Sequence, residues 1–375
     1  MKQFILSFIL LLNISFGFCT DYTSIDKQSA KVPANLHTAD EIARYLTKDL
    51  TSKTEKVRAL YYWISHNIKY DLAQMNSNKT VTSSKELVED VLQKRQGVCQ
   101  HYAELFHACC TSIGIQSYVI KGYTIQTGQI ARLSHAWNAV KIDGKYLELD
   151  VTWASGYVVN GIYKHVFTDE YFLISPSEFI KTHIPFDPIW QFLDNPITNK
   201  EIEKGDFSKL KIKSSYNYTD SIKKLNDLSN LEQLVREDRR ISKMGITNPL
   251  IRNQIVQNQE TITSEKYNLA VQSFNKAVES FNFYILSKNK KFDGTKLSDE
   301  KIREMLASAR QHLEVAENLL SFLNSDNREL NRQTRDMQSS ISELKRNIDN
   351  EDEFLNKYFK TAKPFRITLF YKLKQ

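Results

Sequence analysis

Apolar positions in the first third of the chain recur at helical spacing, and each run is led by its own start signal. Thr38-x-x-Glu41, Ser52-x-x-Glu55 and Ser83-x-x-Glu86 read as capping boxes, in which a hydroxyl and a carboxylate reciprocally satisfy the free N–H groups of a helix start. After Ser52, the residues Val57, Leu60, Tyr61, Ile64 and Ile68 share one helical face, with Trp63 beside it as a core or rim aromatic. After Cys99, Tyr102, Leu105, Phe106, Cys109 and Ile113 do the same until Gly114, so the spacing predicts a helix with Cys99 at its N-terminal end. The period then shortens to two. Strands are predicted at 116–124, 136–142 and 146–151, the last two joined by Asp143-Gly144, a hairpin signal. Pairing Ile142 with Lys145 sets Trp137 opposite Asp150 and His135 opposite Thr152. Helices followed by an antiparallel sheet packed on the Cys99 helix make this part α+β.

Residues 183–197 carry several prolines and read as an extended strap that closes this part, with Trp190 as a structural residue. From about residue 206 helical periodicity takes over. Ile302, Leu306, Ala309, Leu313, Ala316, Leu320 and Leu323 step alternately by four and three, a heptad seam. Met337, Ile341, Leu344, Ile348 and Leu355 form a second seam, and Tyr267, Ala270, Phe274, Val278, Phe281 and Ile285 a third amphipathic stretch. These predict an all-α helical bundle or coiled-coil hairpin, either a support domain or an arm that binds a partner. The tail from Phe365 to Leu373 alternates as a short strand would. The expected organisation is a signal peptide at 1–17, a catalytic domain at 18–200, a helical connecting region at 201–260, a helical bundle at 261–360 and a tail at 361–375.

A chain of 375 residues has room for two domains. Its net charge of +7 is spread along the sequence without a basic block, which fits a solvated surface, and no nucleic-acid module is present. Met1-Lys2-Gln3 followed by an apolar run from Phe4 through Phe18 reads as a secretory signal, with Ser15 and Gly17 as the small residues before a cut after Gly17. The bulky Phe18 makes a lipoprotein anchor at Cys19 the lesser reading. No other segment is long and apolar enough to span a bilayer, so the mature protein is expected to be secreted or held in the periplasm or cell envelope. Cys19, Cys99, Cys109 and Cys110 suggest no disulfide framework, and Cys109 and Cys110 read as small core hydrophobes.

Chemistry concentrates at Cys99, His135 and Asp150. A thiol is a good nucleophile only as thiolate, and a helix start favours the anion while its free N–H groups can hold an oxyanion. In the predicted hairpin His135 and Asp150 are diagonal neighbours on one face, where a carboxylate can orient an imidazole and stabilise its protonated form. His66, His101 and His107 have no partner pattern and read as packing or surface residues. With no Cys-x-x-Cys, His-Glu-x-x-His or calcium-loop spacing, neither a metal site nor a cofactor is expected.

Three motifs, Gly97-Val98-Cys99-Gln100-His101-Tyr102-Ala103, His135-Ala136-Trp137-Asn138 and Asp150-Val151-Thr152-Trp153, resemble the transglutaminase-like superfamily of papain-like thiol enzymes. The stretch from Tyr62 to Asp71 is similar to the helix that precedes the catalytic one in that family. Its secreted bacterial and kyphoscoliosis-peptidase-like branches are the ones most similar, over roughly residues 40–200. The resemblance implies a papain-like core with Cys99 as nucleophile, His135 as general base and acid, and Asp150 as the orienting group. His101 departs from the small residue many relatives carry there, which bears on local substrate shape. Such a triad transfers an acyl group through a thioester, to water in a peptidase or amidase and to a lysine amine in a cross-linking transglutaminase. Hydrolysis of peptide or isopeptide bonds in a protein or peptide substrate is the favoured expectation. The reading from another class is a non-catalytic envelope binding or assembly protein that uses the fold as a scaffold.

Overall fold

The computed structural model describes residues 21–75, 83–212, 217–225, 227–292, 297–321, 323 and 325–371. The expected signal segment, Cys19 and Leu373 lie outside the described residues. The chain forms two compact units. The first runs to Phe186 and includes Trp190–Leu193; the second holds Asp187–Ile189 and the chain from Asp194 onward.

In the first unit, helices Ala39–Thr47, Lys53–Asn67 and Ser84–Lys94 each open with the capping box read from the sequence. Val57, Leu60, Tyr61, Ile64 and Ile68 are fully buried, and Trp63 is buried with the Arg95 guanidinium over its ring. A short parallel pairing of Lys69–Tyr70 with Gln96–Gly97 delivers the chain to the helix Cys99–Ser112. Gly97 is needed at this junction, because a Cβ there would stand 2.6 Å from Cβ of His101. The helix buries Tyr102, Leu105, Phe106, Cys109 and Cys110 in the core.

The sheet is antiparallel, in the order Gln129–Ile130, Ser117–Gln126, His135–Ile142, Lys145–Leu149, and the strap strand His183–Pro185 also pairs with Ser117–Gln126. The hairpin register is the expected one, from Ile142 opposite Lys145 to Asn138 opposite Leu149. Asp143 and Gly144 both take positive φ, 48° and 81°, as a two-residue turn of matching twist requires. The structure departs from the sequence reading beyond Leu149. The second strand stops there and Val151–Ser155 forms a helical turn, so Thr152 is not a strand partner of His135. The reason is local: the Asp150 carboxylate accepts the N–H groups of Thr152 at 2.8 Å and Trp153 at 3.1 Å, which offers the backbone a helix start in place of a ladder. His135 lies instead opposite Gly122 of the neighbouring strand.

The second unit is all-α within the described residues, with long helices Pro249–Asn289, Asp299–Leu320 and Arg328–Lys360. Ile302, Leu306, Ala309, Leu313, Ala316 and Leu320 are buried in one cluster with Ala277, Tyr284, Ile341, Leu344 and Ile348. The first of these helices begins at Pro249, ahead of residue 261, and runs through 260 without a break. Asn248 accepts the Ile251 N–H at 3.1 Å and Pro249 suits the first helical position, so the start is earlier than the apolar spacing alone suggests. The tail is not a strand but the 3₁₀ helix Lys363–Phe370. No strand stands among the described residues of this unit to pair with it, and Leu369 and Phe370 pack on the helical core instead. No helix among the described residues is long and apolar enough to cross a membrane.

Candidate active site

Cys99 is the first residue of its helix and is partly exposed, whereas Cys109 and Cys110 on the same helix are fully buried. Val98, the residue before it, presents its C=O to the N–H of His101 at 2.8 Å, while its own N–H donates to Nδ1 of His101 at 3.3 Å. His101, read from the sequence as a packing or surface residue, is buried and braces the helix start. The first-turn N–H groups of Cys99 and Gln100 have no acceptor within the helix itself and carry its positive end.

His135 reaches the same place from the first residue of its strand. Its Nε2 meets Oδ2 of Asp150 at 2.6 Å, and the Cys99 side chain is near enough to the same imidazole to raise its basicity. The strand is tied to the Cys99 helix by Asn138, whose Nδ2 donates to the Ala103 carbonyl at 3.0 Å and to that of Tyr118 at 3.2 Å. The structure therefore brings together all three residues singled out in the sequence.

A fourth joins them. His183, on the strap strand, directs Nε2 to the same Oδ2 of Asp150 at 3.2 Å, and its Nδ1 lies 2.9 Å from Oγ1 of Thr182. A carboxylate only accepts, so both imidazoles donate to it, and His183 keeps its other nitrogen to accept from the threonine hydroxyl. The walls are aromatic: Phe179 stacks on His183 at 4.1 Å, and Trp153 lies 5.6 Å from His135 and 4.5 Å from His183. Nothing local marked His183 in the sequence. It lies 33 positions beyond Asp150, and only the pairing of the strap with Gly122–Thr124 brings it in. Tyr70, at the end of the short strand that pairs with Gln96–Gly97, also borders the cleft beside His135.

The electrostatics follow from this packing. Burial disfavours the imidazolium of His135, but the charge and hydrogen bond of Asp150 and the proximity of Cys99 outweigh it and push His135 up to about 10. Burial would raise the Asp150 carboxyl, yet His135 and His183 hold it well below the ordinary carboxylate range. Burial depresses His183, against the pull of Asp150, and keeps it neutral. Burial also drives the Tyr70 phenol up, assisted by negative charge at Cys99 and Asp150. The arrangement is a protonated imidazole held between the Asp150 carboxylate and the Cys99 sulfur.

His135, Asp150 and His183 each offer one donor atom within 4.8 Å of the others, the only set of three or more among the described residues with the composition to hold a metal ion. The 2.6 and 3.2 Å contacts are already hydrogen bonds between these atoms, which accounts for the cluster without an ion. A cleft of about 760 Å³ opens beside His135, bordered by Tyr70, Leu133, Trp153, Tyr157 and Glu170 among others.

Residues 40–151 match the family model of the transglutaminase-like superfamily. This stretch is a transglutaminase-like domain. The chain is 32% identical to human kyphoscoliosis peptidase over 178 residues, which is 45% of this chain and 26% of that protein. It is 28% identical to hillarin of Drosophila melanogaster over 189 residues, 45% of this chain and 22% of that protein. A solved structure described as a TGase aligns at 18% identity and a TM-score of 0.26, covering 42% of this chain and 38% of that one. The chain thus spans about a quarter of the length of the curated relatives it matches. Cys99, His135 and Asp150 all fall within the matched limits of the transglutaminase-like domain, whereas His183 falls beyond them.

Proposed function

We propose that the protein is a thiol-dependent acyl-transfer enzyme that hydrolyses peptide or isopeptide amides through a thioester on Cys99. The observation that carries this reading is the 2.6 Å contact between His135 and Asp150, with Cys99 at the helix start beside the same imidazole. The Cys99 thiolate adds to an amide carbonyl, and the developing oxyanion finds donors in the first-turn N–H groups of its helix. His135 delivers its proton from Nδ1 to the leaving amine, and the C–N bond breaks to leave a thioester. The now neutral imidazole takes a proton from water, whose oxygen attacks the thioester, and the acid departs as the thiolate and imidazolium are restored. Asp150 keeps its charge throughout and holds the ring in place. The relatives named as peptidases favour water over an amine as the final acceptor. Export rests on the basic-then-apolar pattern of residues 1–17 alone and would leave a mature N-terminus at Phe18.

Iodoacetamide alkylation of Cys99 near neutral pH, in wild type and His135→Ala, tests the pair. Wild type is expected to react at least about tenfold faster, a difference of about 1.4 kcal/mol in activation free energy. Equal rates in the two proteins would remove the basis for the reading.

A further inference from the structure

The cleft beside His135 is selective in ways the triad does not require. Although the chain carries 51 Lys and Arg residues, none lines this cleft among the described residues, and Glu170 is the one acidic side chain that does. Its rim is instead apolar and open to water: Leu133, Tyr157, Val158 and Val166 are 52, 57, 43 and 50% exposed. Clustered exposed apolar side chains at a cleft mark a surface that is covered in use.

The backbone adds a second observation. Gly156, Tyr157 and Val158 are consecutive, and all three line the cleft. Successive side chains of a strand point to opposite faces, so three consecutive lining residues bring the strand's backbone, and not one side-chain face alone, to the cleft. On one side Gly156–Val159 pairs with Ile162–His165, and its other edge has no strand partner among the described residues. The hairpin is held rigidly: the Tyr163 hydroxyl lies 2.8 Å from the Ser155 carbonyl, and the Val166 N–H donates to that carbonyl at 3.2 Å.

We propose that this cleft binds an extended polypeptide segment rich in apolar and aromatic side chains and free of acidic ones, laid along the Gly156–Val159 edge. An unpaired strand edge offers N–H and C=O groups to any extended chain, while the apolar rim selects the side chains and Glu170 repels carboxylates, the one positive group in the described lining, the His135 imidazolium, being already paired with Asp150. The proposal deepens the acyl-transfer reading and depends on it only for the placement of a scissile amide near Cys99.

The test is equilibrium binding to the full chain carrying Cys99→Ala, read by fluorescence polarisation of three labelled peptides of equal length. One is rich in Val, Leu and Phe with a single Lys, one replaces the Lys and two apolar residues by Glu, and one is built of Ser and Gly. The apolar peptide is expected to bind at least about tenfold more tightly than either of the others. The double change Tyr157→Ser and Val158→Ser is expected to abolish that preference with the circular dichroism spectrum unchanged, and Glu170→Gln to strengthen binding of the acidic peptide alone. Equal binding of the three peptides, or a preference that survives the double change together with no effect of Glu170→Gln, overturns the proposal. Cys99 alkylation involves no peptide, so a reactive thiol without peptide preference defeats this proposal alone. A peptide preference with an inert thiol defeats the acyl-transfer reading alone.

Discussion

Two imidazole N–H groups and two backbone N–H groups converge on the carboxylate of Asp150, from His135 and His183 on Oδ2 and from Thr152 and Trp153 on Oδ1. Donors on both oxygens replace the water that burial removes, so the group remains ionised and cannot rotate. His183 is therefore a positioning residue, acting on His135 through the acid they share. His183→Phe is expected to lower kcat by about tenfold with KM little changed, the loss of roughly one charge-assisted hydrogen bond, and His183→Gln to recover much of it. Steady-state kinetics on a peptide substrate would check this; an equal fall in both variants would argue for a merely structural role. Cys99, His135 and Asp150 were legible in the sequence because a helix start and a two-residue turn are local signals. His183 was not, since its approach to Asp150 depends on a pairing between strands far apart in sequence.

Among the elements, the strand Ser117–Gln126 does most to assemble the site. Gly122 in its middle faces His135 on one side and Pro185, two residues from His183, on the other. A Cβ at Gly122 would stand 2.1 Å from the Ile184 carbonyl oxygen and 2.5 Å from Cη2 of Trp137, so an alanine there must push the strands apart. Gly122→Ala is expected to cost about 1–3 kcal/mol in urea unfolding and to slow Cys99 alkylation by spreading His135 and His183 from Asp150. Capping boxes, the Cys99 helix and the hairpin register could all be read from neighbouring residues. The turn Val151–Ser155 could not: alternation continued through Asp150, and only its side chain, by capping a helix, ended the strand. The tail failed for the opposite reason, its alternation being the imprint of packing on helices and not of pairing with a strand.

For the whole molecule, the site leaves a mark on stability against pH. His135 is raised in the folded chain, so its contribution is fully present below its unfolded value near 6.5 and is lost as pH climbs to about 10. His183 is depressed, so it opposes folding as pH falls below about 6.5. Asp150 is depressed too, and its contribution fades only at acid pH, below the unfolded value of 3.8. Urea midpoints are therefore expected to decline between pH 6.5 and 10 in wild type, and His135→Gln to flatten that limb. An unchanged limb in the variant would place the titration elsewhere. Asp150 also has a consequence on an evolutionary scale. A lineage that gave up chemistry could replace Cys99, a partly exposed side chain, with little harm to the fold. Replacing Asp150 with an apolar residue would strand two imidazoles and two N–H groups in the interior. On the acyl-transfer reading proposed above, inactive descendants of this chain would shed the nucleophile first, and the acid would outlast the reaction proposed for it.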